Sequence, residues 1–326
     1  MKRLLIAVTF LITIGAVGAG FLYSWGQQRF TGPGPLDARK VVLIARGSGL
    51  NAIAQQLANE GVIRSPLIFR LGARVTGQAT QLKAGEYAFP AQVSPKQALQ
   101  IVVSGKTVAR TLTIPEGLTS HEVVARIRAA PALTGEISQV PDEGELLPET
   151  YHYQRGDRRA DLLQRMRAGM TRTLDRLWPK RAKNLPFDSK RAAITLASIV
   201  EKETAVPAER ALVAGVFVNR LERGMRLQSD PTVRFALTEG EAELGRPLTR
   251  ADWDVDNPYN TYQNAGLPPG PIANPGPAAL KAALNPAETD YLYFVADGNG
   301  GHAFAKTLRE HNRNVAEWRK VRDQNK

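Results

Sequence analysis

Residues 191–204 read RAAITLASIVEKET. The stretch has good helix formers and neither Gly nor Pro, and its apolar residues run up to Glu201-Lys202-Glu203, so it predicts a core helix ending in two carboxylates. Glu201 follows Ala197 by four positions and Ile194 by seven, while Glu203 follows Val200 by three and Leu196 by seven. Both have an apolar track behind them. Two positions subtend about 200° on a helix, so one carboxylate points into a cleft and the other away, and spacing leaves open which. A carboxylate at the end of so apolar a helix is desolvated, stays protonated and can serve as a general acid. The plain alternative is a solvated helix end.

Around this helix lie three further constellations. Arg226–Val233 (RLQSDPTV) sets Gln228, Ser229 and Asp230 before a proline that restrains the backbone, which reads as a turn rich in polar groups. Residues 257–276 (NPYNTYQNAGLPPGPIANPG) are too long and too rich in Pro and Gly for an ordinary connection. They contribute Tyr259, Asn260, Thr261, Tyr262 and Asn264, aromatic faces beside amide partners that suit sugar recognition. Tyr291–Ala296 reads as a strand, Asp297–Gly301 as a Gly-rich turn and His302–Phe304 as the return. Packing alone is the competing role for Tyr259 and Tyr262, and turn opening for Asp230.

Upstream, Val41–Ala45, Gly85–Phe89 and Val108–Ile114 read as strands, and Leu50–Leu57, Pro66–Val75, Pro95–Val103 and Asp161–Leu177 as helices. At an offset of 70 residues, Ile44, Gly47, Ile53, Ala54 and Leu57 are echoed by Ile114, Gly117, Val123, Val124 and Ile127, so strand, Gly turn and helix occur twice. The pattern resembles LysM-like modules, which bind N-acetylglucosamine-containing glycans; a packing scaffold without ligand is the alternative. Pro141–Pro148 forms an acidic, Pro-bounded bend.

At the N-terminus, Leu4–Trp25 carries no charged side chain, follows Lys2 and Arg3, and closes on Tyr23 and Trp25. As a helix it spans the ~30 Å hydrocarbon core, with the basic pair cytoplasmic and the aromatics at the far interface. The small residues of Gly15–Gly20 leave a cleaved signal peptide as the other reading, and export follows from both. Phe30–Pro35 (FTGPGP) reads as a linker.

The chain of 326 residues is 43% hydrophobic and 23% charged, a globular composition that excludes disorder and low complexity. Its net charge of +12 favours an anionic neighbour, such as acidic lipid or a polyanionic wall polymer, and export argues against nucleic acid. There is no cysteine, which excludes disulfides and a thiol nucleophile. The four histidines form no HExxH, and no serine sits in GxSxG, so neither a metalloprotease nor a triad hydrolase is indicated, and no cofactor is expected.

The motifs LLPETY (146–151), ASIVEKET (197–204), VFVNRL (216–221), GMRLQSDPTV (224–233), YNTY (259–262), GLPPGPIANPG (266–276) and YLYFVADGNGGHAF (291–304) together closely resemble the endolytic murein transglycosylases, the YceG-like (MltG) family. The resemblance implies an α+β protein: residues 1–29 a cytoplasmic tip and transmembrane anchor, 30–39 a linker, 40–140 a LysM-like α/β region and 141–326 a catalytic domain. It implies a single-pass inner-membrane enzyme whose periplasmic body cuts peptidoglycan strands internally, leaves 1,6-anhydro ends and acts close to wall synthases. It also implies that the first Glu of EKET, Glu201, is catalytic, so that Glu201→Gln abolishes cleavage and Glu203→Gln does much less. Substrate contacts are expected from Gln228, Ser229, Asp230, Tyr259, Asn260, Thr261, Tyr262, His302 and Glu149. Two other functions fit the same residues, a glycan-binding scaffold that does not cleave and a muramidase-type hydrolase.

Overall fold

The computed structural model describes residues 2–324. Met1, Asn325 and Lys326, the outermost residues of the expected anchor and catalytic segments, lie outside the described residues, as do the side chains of Lys2 and Arg3. The fold is mixed α+β, in two compact units that divide between Arg110 and Thr111. The second strand–turn–helix of the echo therefore falls in the C-terminal unit.

In the first unit, helix α1 (Lys2–Thr31) contains a segment long and apolar enough to cross a membrane, Thr9–Thr31. It runs past Trp25 and stops at Gly32-Pro33, so Phe30 and Thr31 belong to its last turn rather than to a linker. Phe30 is buried in the core of this unit, and a Cβ on Gly72 would fall 2.2 Å from its ring, so only glycine permits that approach. Strand β1 (Lys40–Ile44) turns Val42 and Ile44 inward and pairs antiparallel with β2 (Gly85–Phe89), Val42 opposite Tyr87. Between them run α2 (Leu50–Asn59) and α3 (Pro66–Val75), and α4 (Pro95–Ser104) follows. Ser65 caps α3 and Ser94 caps α4, each before a proline that is preorganised for the first helical turn. Ile53, Leu57, Phe69, Tyr87, Phe89 and Leu99 close the core.

The second unit begins within β3 (Arg110–Thr113), which pairs with β4 (Thr150–Tyr153), with α5 (Ser120–Ala129) between them in sequence. Ile114, Val123, Val124 and Ile127 are buried like their counterparts in the first unit, and Gly47 and Gly117 both have left-handed φ, 82° and 78°. After α6 (Arg159–Leu177) comes a helical layer: α7 (Lys190–Glu203), α8 (Arg210–Glu222), α9 (Asp230–Thr238) and α10 (Pro277–Leu284). The chain ends with the hairpin β5 (Tyr293–Ala296) and β6 (His302–Ala305) and then α11 (Leu308–Gln324). Helix α7 packs mainly on α10 and α8, with Leu196, Ala197, Ile199 and Val200 fully buried. Asp230, read as part of a turn, is the first residue of α9, because Asp-Pro suits a helix start as well as a turn.

Candidate active site

Helix α7 brings its two terminal carboxylates to opposite sides, as the ~200° spacing requires. The helix is fixed at its start by Ser189, whose hydroxyl accepts from Ala192 N at 3.1 Å, and in its middle by Ser198, which accepts from Ile272 N at 3.0 Å. It ends where Thr204 turns extended.

On one side, Glu201 is almost wholly enclosed, its side chain 5% exposed. Arg210 Nη2 donates to Oε1 at 3.1 Å and Gly276 N donates to Oε2 at 2.9 Å. The same Arg210 nitrogen lies 3.3 Å from Glu116, the residue before the Gly117 turn. Burial, and then the charge of Glu201, push Glu116 above the usual carboxylate range against the pull of Arg210. A Cβ at Gly276 would stand 1.8 Å from Glu116 Oε1, so the end of the long loop must be glycine to reach this pair. Gly117 N donates to Asn274 O at 3.0 Å, and the fully buried Asn274 side chain bonds Leu146 N, Leu118 O and the Ser120 hydroxyl. Glu201 thus belongs to a filled network that staples the turn at 115–117 to the loop end at 274–276. Each of its oxygens already accepts one hydrogen bond, one from a guanidinium and one from a backbone N–H.

On the other side, Glu203 accepts a hydrogen bond from the Ser229 hydroxyl. Burial pushes this carboxyl up to about 7; the Ser229 bond opposes the rise, Asp230 reinforces it, and His302 and Arg220 oppose it. Ser229 is held in turn: its N–H donates to Thr261 Oγ1 at 3.0 Å, and its carbonyl accepts from Thr232 Oγ1 at 2.6 Å. Gln228, with φ of 52°, donates its N–H to Thr261 O at 3.2 Å and turns the chain so that Ser229 faces α7. Asp230 Oδ1 accepts from Tyr262 OH at 2.7 Å and from Trp253 Nε1 at 3.0 Å, and the two rings lie 5.9 Å apart. Burial, and then the bond to Asp230, raise the Tyr262 hydroxyl far above its ordinary range, so it is a neutral donor.

The turn at 226–233 and the start of the long loop therefore meet at Glu203, and the end of that loop meets Glu201. Among the expected contact residues, Ser229, Asp230 and Tyr262 gather around Glu203. Asn260 and Thr261 are buried, 0% and 1% exposed, and their groups are spent inside the fold: Asn260 Nδ2 donates to Trp253 O and Val255 O. They shape the loop from within. Tyr259 packs its ring 4.8 Å from that of Phe235. His302 Nδ1 lies 2.7 Å from Glu209 Oε2, which fixes the β5–β6 hairpin to the start of α8 with the imidazole close enough to act electrostatically on Glu203. Glu149 stands exposed before β4, where its carbonyl accepts from Ile114 N, and among the described residues its side chain makes none of the hydrogen bonds of the site.

Sequence reasoning missed Arg210, Asn274 and Arg220. Arg220 is 8% exposed and donates to Leu292 O, Leu227 O and Arg226 O, stitching the hairpin to the turn that carries Ser229. An arginine inside the apolar run VFVNRL was the available signal. A cavity of about 750 Å³ opens beside the site, lined by Lys202, Pro231, Arg234, Phe235, Thr119 and Thr238 among others. Lys202 and Pro231 are the chain neighbours of Glu203 and Asp230. Among the described residues no group of three or more His, Asp or Glu side chains is arranged to hold a metal ion.

Comparison with known proteins agrees with this architecture. The YceG-like family profile matches residues 42–317. An endolytic murein transglycosylase of Streptococcus pneumoniae serotype 2 is 31% identical over 95% of this chain, which spans 64% of that relative's length. One from Bacillus subtilis is 32% identical, with 91% of this chain and 89% of the relative aligned. The crystal structure of a yceG-like protein from Listeria monocytogenes, 33% identical, covers 84% of this chain and 98% of its own with a TM-score of 0.52. A profile match over most of the length, together with two relatives above 30% identity, establishes that the chain belongs to the YceG-like family.

Proposed function

We propose that this protein is an endolytic lytic transglycosylase of peptidoglycan and that Glu203 is its acid and base. The observation that carries the reading is the Glu203–Ser229 hydrogen bond at the meeting point of the α7 terminus, the 226–233 turn and the 257–262 segment, with the carboxyl pushed up to about 7. The names of the pneumococcal and Bacillus relatives support the reaction class. The residue that the family resemblance suggested, Glu201, is the less suited of the pair, because Arg210 and Gly276 already occupy it.

The chemistry needs one carboxyl group. Protonated Glu203 gives its proton to the oxygen joining N-acetylmuramic acid to N-acetylglucosamine as the bond to muramic C1 breaks and an oxocarbenium-like state forms. The resulting carboxylate takes the proton from the muramic 6-hydroxyl, whose oxygen closes on C1. Atoms balance without water: one strand leaves with a free 4-hydroxyl, the other with a 1,6-anhydro end. The tethered hydroxyl has the effective concentration that an activated water would otherwise supply. Ser229 orients the carboxyl, and Tyr262, Asp230 and Trp253 offer a sugar an aromatic wall with a polar edge. A cavity of about 750 Å³ lined by Lys202 and Pro231, the chain neighbours of Glu203 and Asp230, supports a strand path close to this carboxyl.

In the cell, α1 anchors the protein in the inner membrane by a single pass, with the N-terminus cytoplasmic and the body periplasmic, where cutting nascent strands terminates their elongation next to the synthases that make them. The helix Thr9–Thr31 supports the anchor. The first copy of the echo, completed by α3 and β2, is the LysM-like glycan-binding candidate, and residues from 141 onward carry catalysis.

Purified wall sacculi incubated with the protein test this reading by mass spectrometry. Anhydro-muropeptides formed by the parent and lost in Glu203→Gln are the expected result. Products heavier by one water mean a muramidase, and binding without products means a scaffold.

A further inference from the structure

Helix α3 presents two apolar faces. Ile68, Phe69 and Ala73 enter the core, whereas Leu67, Leu71 and Val75, spaced i, i+4 and i+8 along the opposite side, are 53%, 46% and 75% exposed. A solvated surface helix has no use for the second stripe, and such a patch marks an interaction surface. Its position narrows the partner. Leu71 and Val75 share an apolar groove of about 220 Å³ with Leu22, Tyr23 and Phe30 of α1, at the level where the hydrophobic run of that helix ends in Tyr23 and Trp25. The stripe is continuous with the exposed apolar surface of the spanning segment, where Val17, Phe21 and Leu22 are 66–71% exposed.

The charges point the same way. On another side of the α1 end, a cleft of about 760 Å³ is lined by Trp25, Arg29, Arg64 and Ser65, with the Arg29 guanidinium 5.6 Å from the Trp25 ring centroid. Arg74, exposed on α3 itself, adds a third cation. Apolar side chains flanked by arginines beside an aromatic belt have the composition of a helix lying in the headgroup region of a bilayer.

We propose that α3 is an interfacial helix that sinks Leu67, Leu71 and Val75 into the leaflet on the side of the body, while Arg29, Arg64 and Arg74 engage the phosphates of anionic phospholipids. The first unit is thereby seated on the membrane instead of swinging from a tether. This rests on the reading of α1 as a membrane anchor.

Because the chain has no cysteine, single cysteines can be placed at will in the full-length protein. Leu71→Cys, Ile14→Cys in the spanning helix and Gln55→Cys on exposed α2 would each be labelled with an environment-sensitive fluorophore and reconstituted into phosphatidylcholine vesicles with or without phosphatidylglycerol. Expected are blue-shifted emission and quenching by spin-labelled lipid at 14 and 71 but not at 55, with shallower depth at 71 and stronger quenching there when phosphatidylglycerol is present. Position 71 behaving like 55 while 14 is quenched overturns the proposal and leaves the anchor intact. Water-like emission at 14 overturns both. Shielding of 71 that depends on protein concentration and not on lipid quencher identifies a second copy as the occupant and also overturns it. Arg64→Glu with Arg74→Glu should remove the phosphatidylglycerol increment at 71 and spare position 14; an unchanged increment refutes the headgroup contact.

Discussion

The two sides of the α7 terminus start from the same residue type, two positions apart on one helix, and arrive at different chemistry. On the Glu201 side the surroundings are a guanidinium, a backbone N–H and a second carboxylate, all engaged with one another. On the Glu203 side they are the Ser229 hydroxyl, which donates to it, and an aromatic wall that carries Asp230. In the proposed reading, the carboxylate bonded on both oxygens braces the loop, while the one that is desolvated and touched by a single neutral donor keeps a proton available near neutrality. The helix supplies two carboxylates of one residue type, and the chain segments packed against it give them different surroundings.

The sharpest way to break the comparison is to neutralise each carboxylate in turn. Glu203→Gln should lower the rate of anhydro-muropeptide release by about 10³-fold, the scale of a lost general acid, while Glu201→Gln should stay within roughly tenfold of the parent. The reverse ranking would exchange the two roles. Removing a partner attacks the other side. Arg210→Ala leaves Glu201 enclosed without its counter-ion and should cost about 3 kcal/mol in denaturant unfolding. Adding Glu201→Gln to Arg210→Ala should cost less than the sum of the single changes, since the stranded charge is gone. Additive losses would mean that the pair is not coupled.

Acidity separates the two sides more finely. The folded-state value of Glu203, about 7, lies above the ordinary value of 4.5, so between those pH values the native state binds more protons than the unfolded chain and stability falls as pH rises. Glu143, which accepts from Ser120 N and is also pushed up to about 7 by burial, adds a slope of the same sign. Glu203→Gln should flatten part of this slope, read from unfolding at pH 4.5 and pH 7.5, and Glu143→Gln a further part, with the raised Glu116 contributing the same sign. For catalysis, the rate should fall on the alkaline side as Glu203 ionises. Ser229→Ala removes a donor that favours the ionised form, so the alkaline limb should move up by about one pH unit. A downward shift would show that the serine stabilises the neutral acid instead.

Much of this arrangement was legible in local sequence, because local rules produce it. The strand–turn–helix echo was visible as paired apolar positions, and those positions are buried in both copies, with the two turn glycines left-handed. Pro66 and Pro95, each behind a serine, announced helix starts. The partners of each carboxylate were not legible. Periodicity places Glu201 and Glu203 on opposite faces but does not say that Gly276 and Arg210 will close on one and Ser229 on the other, since those contacts join segments 9 to 75 residues apart. Nor could Asn260 be distinguished from Tyr262: both looked like polar groups on a functional loop, and only packing shows that one is consumed by the loop and the other is turned toward Asp230. The two echo copies diverge for the same reason. A Cβ at Gly47 would meet open space, whereas one at Gly117 would lie 3.4 Å from Glu201 Cγ, so one turn is free and its repeat packs against the end of α7.

The smallest expected effect tests whether the aromatic wall belongs to the chemistry or only to the loop. Tyr262 OH holds Asp230, and Asp230 also holds Trp253, so Tyr262→Phe deletes one hydrogen bond and leaves the ring and the Trp253 contact in place. A net bond of about 1 kcal/mol corresponds to about fivefold. If the wall orients a sugar, that loss should raise KM for glycan strands with little change in kcat, because the bond is present in substrate and transition-state complexes alike. If the wall only braces the loop, KM should hold and unfolding should shift by the same ~1 kcal/mol. A fall in kcat with KM unchanged would place the hydroxyl on the reacting sugar itself, and the Glu203 side would then contain a second proton donor beside the carboxyl.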